Sequence, residues 1–276
     1  MQTGATEPAP AKINLALHVR ERMPDGWHRL ETLFAFTAFG DLLEARPADG
    51  WSLEVRGRFA AAAGPLDDNI VLRAARAFAK AAGSPACFAL TLEKRIPAAA
   101  GLGGGSADAA AALRLLNRLS VPALDETTLR EVAAGLGADV PACLVSKASR
   151  GEGRGDMLTA VDMAAGQPVL LVNPGVEVPT GRVFACWDGV DRGPLKSGDP
   201  LAASLAGRND LEAPALGLAP AIGEVLAFLK AAPGVVLARM SGSGATCFAL
   251  FASARARDAA AARVPPQWWH VATRLV

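Results

Sequence analysis

Cysteine and histidine are scarce: four and three, respectively, in 276 residues. Cys87, Cys143, Cys186 and Cys247 lie far apart with no CxxC pair. That excludes a zinc ribbon and a dithiol redox motif, and reads as buried thiols of a cytosolic protein. His18, His28 and His270 form no HExxH pair, so no transition-metal site built by the protein is expected. An excess of one charge is also missing. The 28 basic and 27 acidic residues are interspersed, for a net charge of +1. Without a basic stripe, nucleic acid is not an expected partner, although a single local anion site fits this balance. There is no run of about 18 apolar residues, so no spanning helix and no membrane partner are expected. The opening "MQTGATEPAP" has neither a basic segment nor an apolar core and does not read as a signal peptide. The expected setting is the cytoplasm.

What is present supports a folded enzyme-sized body. Hydrophobic residues make up 51% and charged residues 20%, enough to bury a core. The length allows one large domain or two ordinary ones. "AKINLALHVR" (11 to 20) alternates, with Ile13, Leu15, Leu17 and Val19 on one face, which predicts a half-buried strand. Segments 29–39, 41–47 and 51–57 predict further strands broken by Gly and Pro. Residues 65–83 change to a helical period, with Asp67 or Asp68 as cap and Gly83 as stop. A strand at 88–96, helices at 106–119 and 125–137, and a strand at 167–175 follow. Next come a short helix at 180–187, a turn-rich stretch at 191–210 and a helix at 219–234. Residues 235–251 read as strand, glycine turn, strand, and a helix at 253–263 and a strand at 268–275 close the chain. This mixture without strict βαβ alternation predicts an α+β fold.

The densest feature is "PAAAGLGGGSAD" (97 to 108), between a strand and a helix. Glycines allow positive φ and close backbone approach, and a helix N-terminus presents N–H groups and partial positive charge. Together these suit phosphates. Ser106 would cap the helix or donate its hydroxyl. No Lys-Ser/Thr pair follows the glycines and the spacing is not GxGxxG, so an ordinary glycine turn with capping also accounts for these residues. Ser241-Gly242-Ser243-Gly244 by itself reads as a hairpin turn or a bulge.

Three segments taken in order carry more than any one of them. "PAKINLALHV" (10 to 19), "PAAAGLGGGSADAAAAL" (97 to 113) and "MSGSGATCFALF" (240 to 251) resemble the GHMP kinase superfamily. "DGWHRLET" (25 to 32), "GLGADVPACL" (135 to 144) and "NPGVEVPTGRVF" (173 to 184) resemble one branch of it. That branch phosphorylates the 2-hydroxyl of 4-(cytidine 5′-diphospho)-2-C-methyl-D-erythritol, in the methylerythritol phosphate route to isoprenoids.

The resemblance implies a two-domain α+β kinase, with domains at 1–160 and 161–276 and the active site in the cleft between them. ATP would bind at Pro97, Ala98, Ala99, Ala100, Gly101, Leu102, Gly103, Gly104, Gly105, Ser106 and Ala107. Ala107 stands where relatives often have serine. Mg²⁺ would come with ATP, held mainly by phosphates. Asp108 is an alternative metal contact or simply an acid at a helix N-terminus. Lys12 and Asp139 would be the catalytic pair, Asp139 as general base. Without the resemblance they read as a solvated strand lysine and a helix cap.

Trp27, where relatives carry Tyr, would stack on cytosine opposite Phe184, and His28 would read the base edge. Packing alone is the competing account for Trp27 and Phe184. Asn14, Thr180, Gly242, Ser243 and Gly244 would complete the substrate site. Arg208-Asn209-Asp210 resembles a further segment of the branch and receives no role. The enzyme would be a monomer or homodimer acting on a small molecule. Trp27, His28 and Phe184 argue against a homoserine or mevalonate kinase, whose substrates carry no base. Lys12 and Asp139 argue against a catalytically silent nucleotide-binding module.

Overall fold

The computed structural model describes residues 4–276, apart from the side chains of residues 62 and 67. The chain forms two compact units. The first takes the stretch ending at Ala11, Gly40–Ala98 and Gly103–Ser146; the second takes Lys12–Phe39, Ala99–Leu102 and Lys147–Val276. Two long strands, β1 (Ala5–Arg22) and β2 (His28–Ala48), pair with each other, and each contributes to both units.

In the first unit, Leu42–Ala48 of β2 runs antiparallel to β4 (Cys87–Glu93), which runs parallel to β3 (Ser52–Arg56). The helices are α1 (Ile70–Ala82), α2 (Gly104–Leu119), α3 (Glu126–Leu136) and α4 (Val140–Val145). Helix α2 packs against the other three. Its Ala109–Ala112 run is fully buried, because methyl side chains let neighbouring backbones come close. Leu113, Leu115 and Leu116 add buried area, each contributing about 1.5–3 kcal/mol.

In the second unit, Leu30–Phe34 of β2 pairs antiparallel with β5 (Ser149–Gly153), and β5 with β6 (Met157–Ala160). A separate antiparallel sheet has the order β10–β7–β9–β8, from Trp269–Arg274, Pro168–Asn173, Cys247–Phe251 and Val235–Met240. Leu170, Val172, Cys247, Ala249 and Phe251 of that sheet share a core with Ile222, Val225, Leu226 and Leu229 of α8 (Ala221–Lys230). Helices α5 (Thr180–Ala185), α6 (Pro200–Ala206), α7 (Glu212–Leu218) and α9 (Ala254–Ala261) complete it. Among the described residues no helix is long and apolar enough to cross a membrane.

The α+β expectation holds, with local corrections. The strands expected at 29–39 and 41–47 are one strand. Gly40 does not break it: a Cβ there would lie 2.2 Å from the Ala9 carbonyl oxygen, so the glycine admits β1 at close range. The cap of α1 is Asn69, whose side chain accepts from Val71 N at 2.9 Å. Asp68 lies in a short 3₁₀ turn before it, and the Asp67 side chain lies outside the described residues. Ser106 does not cap α2, which begins two residues earlier behind Gly103 in the left-handed conformation (φ 63°). The turn-rich stretch 191–210 contains α6, because Asp199 caps it through Ala202 N and Pro200 opens it.

Candidate active site

Within the first unit, the start of α2 is the expected phosphate end. Helical geometry leaves the N–H groups of Gly104, Gly105 and Ser106 without partners in the helix, at its positive end. Directly beneath lies a buried ion cluster. Lys94 Nζ donates to Asp41 and, at 2.7 Å, to Asp108 Oδ2. The other Asp41 oxygen accepts from Ile96 N at 2.8 Å. A Cβ on Gly104 would lie 3.2 Å from Ile96 Cγ2 and 3.5 Å from Lys94 Nζ. Burial raises Asp108 well above the usual carboxylate range, against the pull of Lys94. Burial alone would lower Lys94, but Asp108 and Asp41 outweigh it and raise it. Asp108 is thus turned into the protein and bound to a lysine. This geometry does not fit a ligand for Mg²⁺.

Asp139 immediately precedes α4, which packs on α2. It is half-buried, and its side chain makes no capping hydrogen bond, so the cap account does not describe what the carboxylate does.

Within the second unit, Lys12 is only 4% exposed and is no solvated strand lysine. Its Nζ donates to Asn14 Oδ1 at 2.9 Å and lies 5.3 Å from the Phe34 ring centre. Asn14 Nδ2 donates to Thr32 Oγ1 at 2.8 Å. The backbone N–H of Lys12 donates to the Leu102 carbonyl at 2.9 Å. The Ser241–Gly244 turn joins β8 to β9 and also meets the glycine-rich segment. Ser241 Oγ donates to the Gly101 carbonyl at 2.8 Å and accepts from Asn14 N at 3.2 Å. Gly101 has φ 73°, and a Cβ there would lie 2.3 Å from the Ser241 carbonyl oxygen. The hydroxyls of Ser243 and Thr180 are 2.9 Å apart.

The aromatic residues divide into two groups. Phe184 packs partly against the core, and the ring facing it is His28, 5.0 Å away; Trp187 meets His28 edge-on at 5.7 Å. Burial, then the nearby Arg22 guanidinium, lowers the His28 pKa, and Arg22 Nε donates to His28 Nε2 at 3.3 Å. A neutral His28 then carries its proton on Nδ1. Trp27 is 49% exposed, with the Arg154 guanidinium 5.0 Å over its ring.

Lys12, Asn14, Gly101, Gly242, Ser243 and Thr180 thus belong to one unit, and Asp139 with Gly103–Ala107 to the other. Among the described residues, no group of three or more His, Cys, Asp or Glu could hold a metal ion. Ser241, Thr32 and Asn209 were not singled out from sequence as site residues. Each lies within a stretch the sequence marks, Thr32 at the end of "DGWHRLET", Ser241 in "MSGSGATCFALF" and Asn209 in the unassigned Arg208-Asn209-Asp210, but none carries a local signal for the contact it makes.

Residues 69–147 match the family described as GHMP kinases N terminal domain, and residues 195–270 match GHMP kinases C terminal. The 4-diphosphocytidyl-2-C-methyl-D-erythritol kinase of Rhizorhabdus wittichii is 57% identical, over 98% of this chain and 94% of that protein. The enzyme of the same name from Novosphingobium aromaticivorans is 53% identical, over 95% and 90%. A crystal structure of 4-(cytidine 5′-diphospho)-2C-methyl-D-erythritol kinase superposes with a TM-score of 0.83 at 35% identity, covering 98% of this chain and 99% of that one. With this similarity running along nearly its whole length, the chain belongs to the 4-diphosphocytidyl-2-C-methyl-D-erythritol kinase family of the GHMP kinases.

Proposed function

We propose that this protein transfers the γ-phosphoryl group of ATP to the 2-hydroxyl of 4-(cytidine 5′-diphospho)-2-C-methyl-D-erythritol. The substrate oxygen bonds to phosphorus, the bond to the β-phosphate oxygen breaks, ADP leaves, and the hydroxyl proton passes to Asp139. The observation that carries this reading is Lys12. It is an ammonium held in place on β1 by burial and by its bond to Asn14, the kind of fixed positive charge that phosphoryl transfer uses. It stands in a chain 57% identical to an enzyme named for this reaction.

Phosphoryl transfer asks the protein mainly for positioning and charge stabilisation. Lys12 supplies charge toward phosphate oxygens, and the first-turn N–H groups of α2 receive the nucleotide phosphates. Mg²⁺ arriving with ATP would be held mainly by those phosphates and would supply charge neutralisation there. Trp27 and Phe184 flank the cytosine, His28 reads its edge through Nδ1–H, and Asn14, Thr180, Gly242, Ser243 and Gly244 contact the remainder. The reading sets a small-molecule kinase in the cytoplasm.

The test is turnover with the cytidine diphosphate substrate beside homoserine and mevalonate. Asp139→Ala is expected to lower kcat by about 10²–10⁴-fold with little change in KM for the alcohol substrate. Wild-type turnover by that variant, or preference for either other alcohol, would overturn the assignment.

A further inference from the structure

Asn209, at the centre of the unassigned Arg208-Asn209-Asp210 segment, is buried in the second unit. The segment lies beside β1 as a short parallel bridge. Leu17 N donates to the Arg208 carbonyl at 2.8 Å, and Asp210 N to the Leu17 carbonyl at 2.9 Å. Asp210 Oδ2 accepts from Val19 N at 2.8 Å, which fixes the segment further along the same strand.

The Asn209 side chain points the other way, onto the Ser241–Gly244 turn. Its Nδ2 donates to the Met240 and Gly242 carbonyls, both at 2.8 Å, while its Oδ1 accepts from Leu211 N at 2.9 Å. One carboxamide therefore grips the backbone on both sides of Ser241. Two donors and an acceptor on one short side chain are what this position uses, and an aspartate offers no donor when ionised.

Ser241 is the residue held between those two carbonyls. It is fully buried, and its hydroxyl joins Gly101 of the glycine-rich segment to Asn14 of β1. Asn14 Oδ1 in turn receives the Lys12 ammonium. The neighbouring backbone is equally close. A Cβ on Gly242 would lie 3.2 Å from the Gly101 carbonyl oxygen and 3.4 Å from Asn14 Oδ1. Thr246 N, at the far end of the turn, donates to the Ala100 carbonyl at 3.1 Å. A shift of this turn would carry both Gly101 and Asn14 with it.

We propose that Asn209 is a positioning residue for phosphoryl transfer: through the Met240 and Gly242 carbonyls it sets the Ser241 hydroxyl on Gly101 and Asn14, and so aligns the glycine-rich segment with Lys12. This rests on the kinase reading above. Asn209 acts through Ser241 and touches no reactant. A misplacement of about 1 Å away from the chemistry costs on the order of 100-fold in rate.

Asn209→Asp keeps the shape and places a carboxylate against two carbonyls. It is expected to lower kcat by roughly 10- to 100-fold while the KM of the cytidine substrate stays within about threefold. Ser241→Ala should give a similar fall. The double variant should be no worse than the more damaged single one, because groups acting in one chain are not additive. Full additivity, or a loss confined to thermal stability with kcat unchanged, overturns the proposal. Should Asn209→Asp fail to fold, Ser241→Ala decides alone, and a kcat within twofold of wild type overturns it.

Hydrogen exchange at the Ser241, Gly244 and Thr246 amides separates this inference from the kinase assignment. Faster exchange in Asn209→Asp supports the grip on the turn even if the wild type failed to phosphorylate the cytidine substrate. Unchanged exchange would remove that grip even if it did.

Discussion

Trp27 offers an indole face to solvent on a turn where the Trp27 N–H donates to Asp25 Oδ1 at 3.0 Å. Arg154 lies over the ring at 5.0 Å, an exposed cation–π contact of about 0.5–1 kcal/mol. A base stacked on an aromatic ring is held by about 1–3 kcal/mol. Trp27→Ala is therefore expected to raise KM for the cytidine substrate by about tenfold or more with kcat little changed. Steady-state kinetics at saturating ATP checks this, and an unchanged KM removes the stacking role. At the level of single side chains, a motif could flag Lys12, Asn14 and Asp139, but not the atoms they meet. Asn14 and Ser241 are 227 positions apart, and Ser241 and Gly101 are 140 apart. Pairings of that reach are decided by the packed core, and no local pattern in one sequence encodes them.

The start of α2 shows how an element is held in place. Three charged side chains from β2, the end of β4 and α2 meet in the interior: Asp41, Lys94 and Asp108. One ammonium faces two carboxylates, and Asp108 Oδ1 is buried with no hydrogen-bond partner among the described residues. Lys94→Met would leave both acids uncompensated, at a cost of about 3–5 kcal/mol.

Asp108 behaves oppositely to an ordinary salt-bridged acid. Its folded pKa is raised by burial, so its contribution is fully present below the model-peptide value of 3.8 and is lost as pH rises through the folded pKa. Asp108→Asn is thus expected to be much milder than Lys94→Met at pH 7.5, which urea unfolding of the two variants would measure. Equal losses would contradict the division of charge described here. Elements with a clear period, such as α1, α2 and α3, were recovered within a few residues of their ends. The hairpin of β5 and β6 was not, because "SRGEGRGDMLTA" (149 to 160) is short, charged and glycine-rich and shows no apolar alternation. Helix α7 escaped for a similar reason, with Pro214 and Gly217 inside seven residues.

Taken as a whole, the chain should respond to mild acid through His18. This buried ring has Nδ1 3.2 Å from the Gly193 carbonyl oxygen, and its Nε2 accepts from Arg208 N at 3.2 Å. Both contacts suit the neutral ring. Burial first, and the Arg208 charge second, lower its pKa from 6.5. The folded state therefore binds fewer protons than the unfolded one in that window. Stability is present above about pH 6.5 and is lost as pH falls through the folded value. Between pH 7 and pH 5 the wild-type melting temperature should fall more steeply than that of His18→Gln. Parallel slopes in a thermal-shift series would show that His18 carries no such linkage. The fold class followed from composition and period. The assignment of residues to units did not, because each unit gathers stretches far apart in sequence.

That gathering has a consequence for how the protein is made. Lys12–Phe39 leaves the ribosome before the rest of its compact unit, Ala99–Leu102 and Lys147–Val276. Its pairing with β5 and the bridge from Leu17 to Asn209 must wait for more than a hundred further residues. Until then the Lys12–Phe39 stretch lacks those partners, and its strands present unpaired edges. The second unit closes only when β10 has emerged to pair with β7 and Val276 N can reach the Phe36 carbonyl.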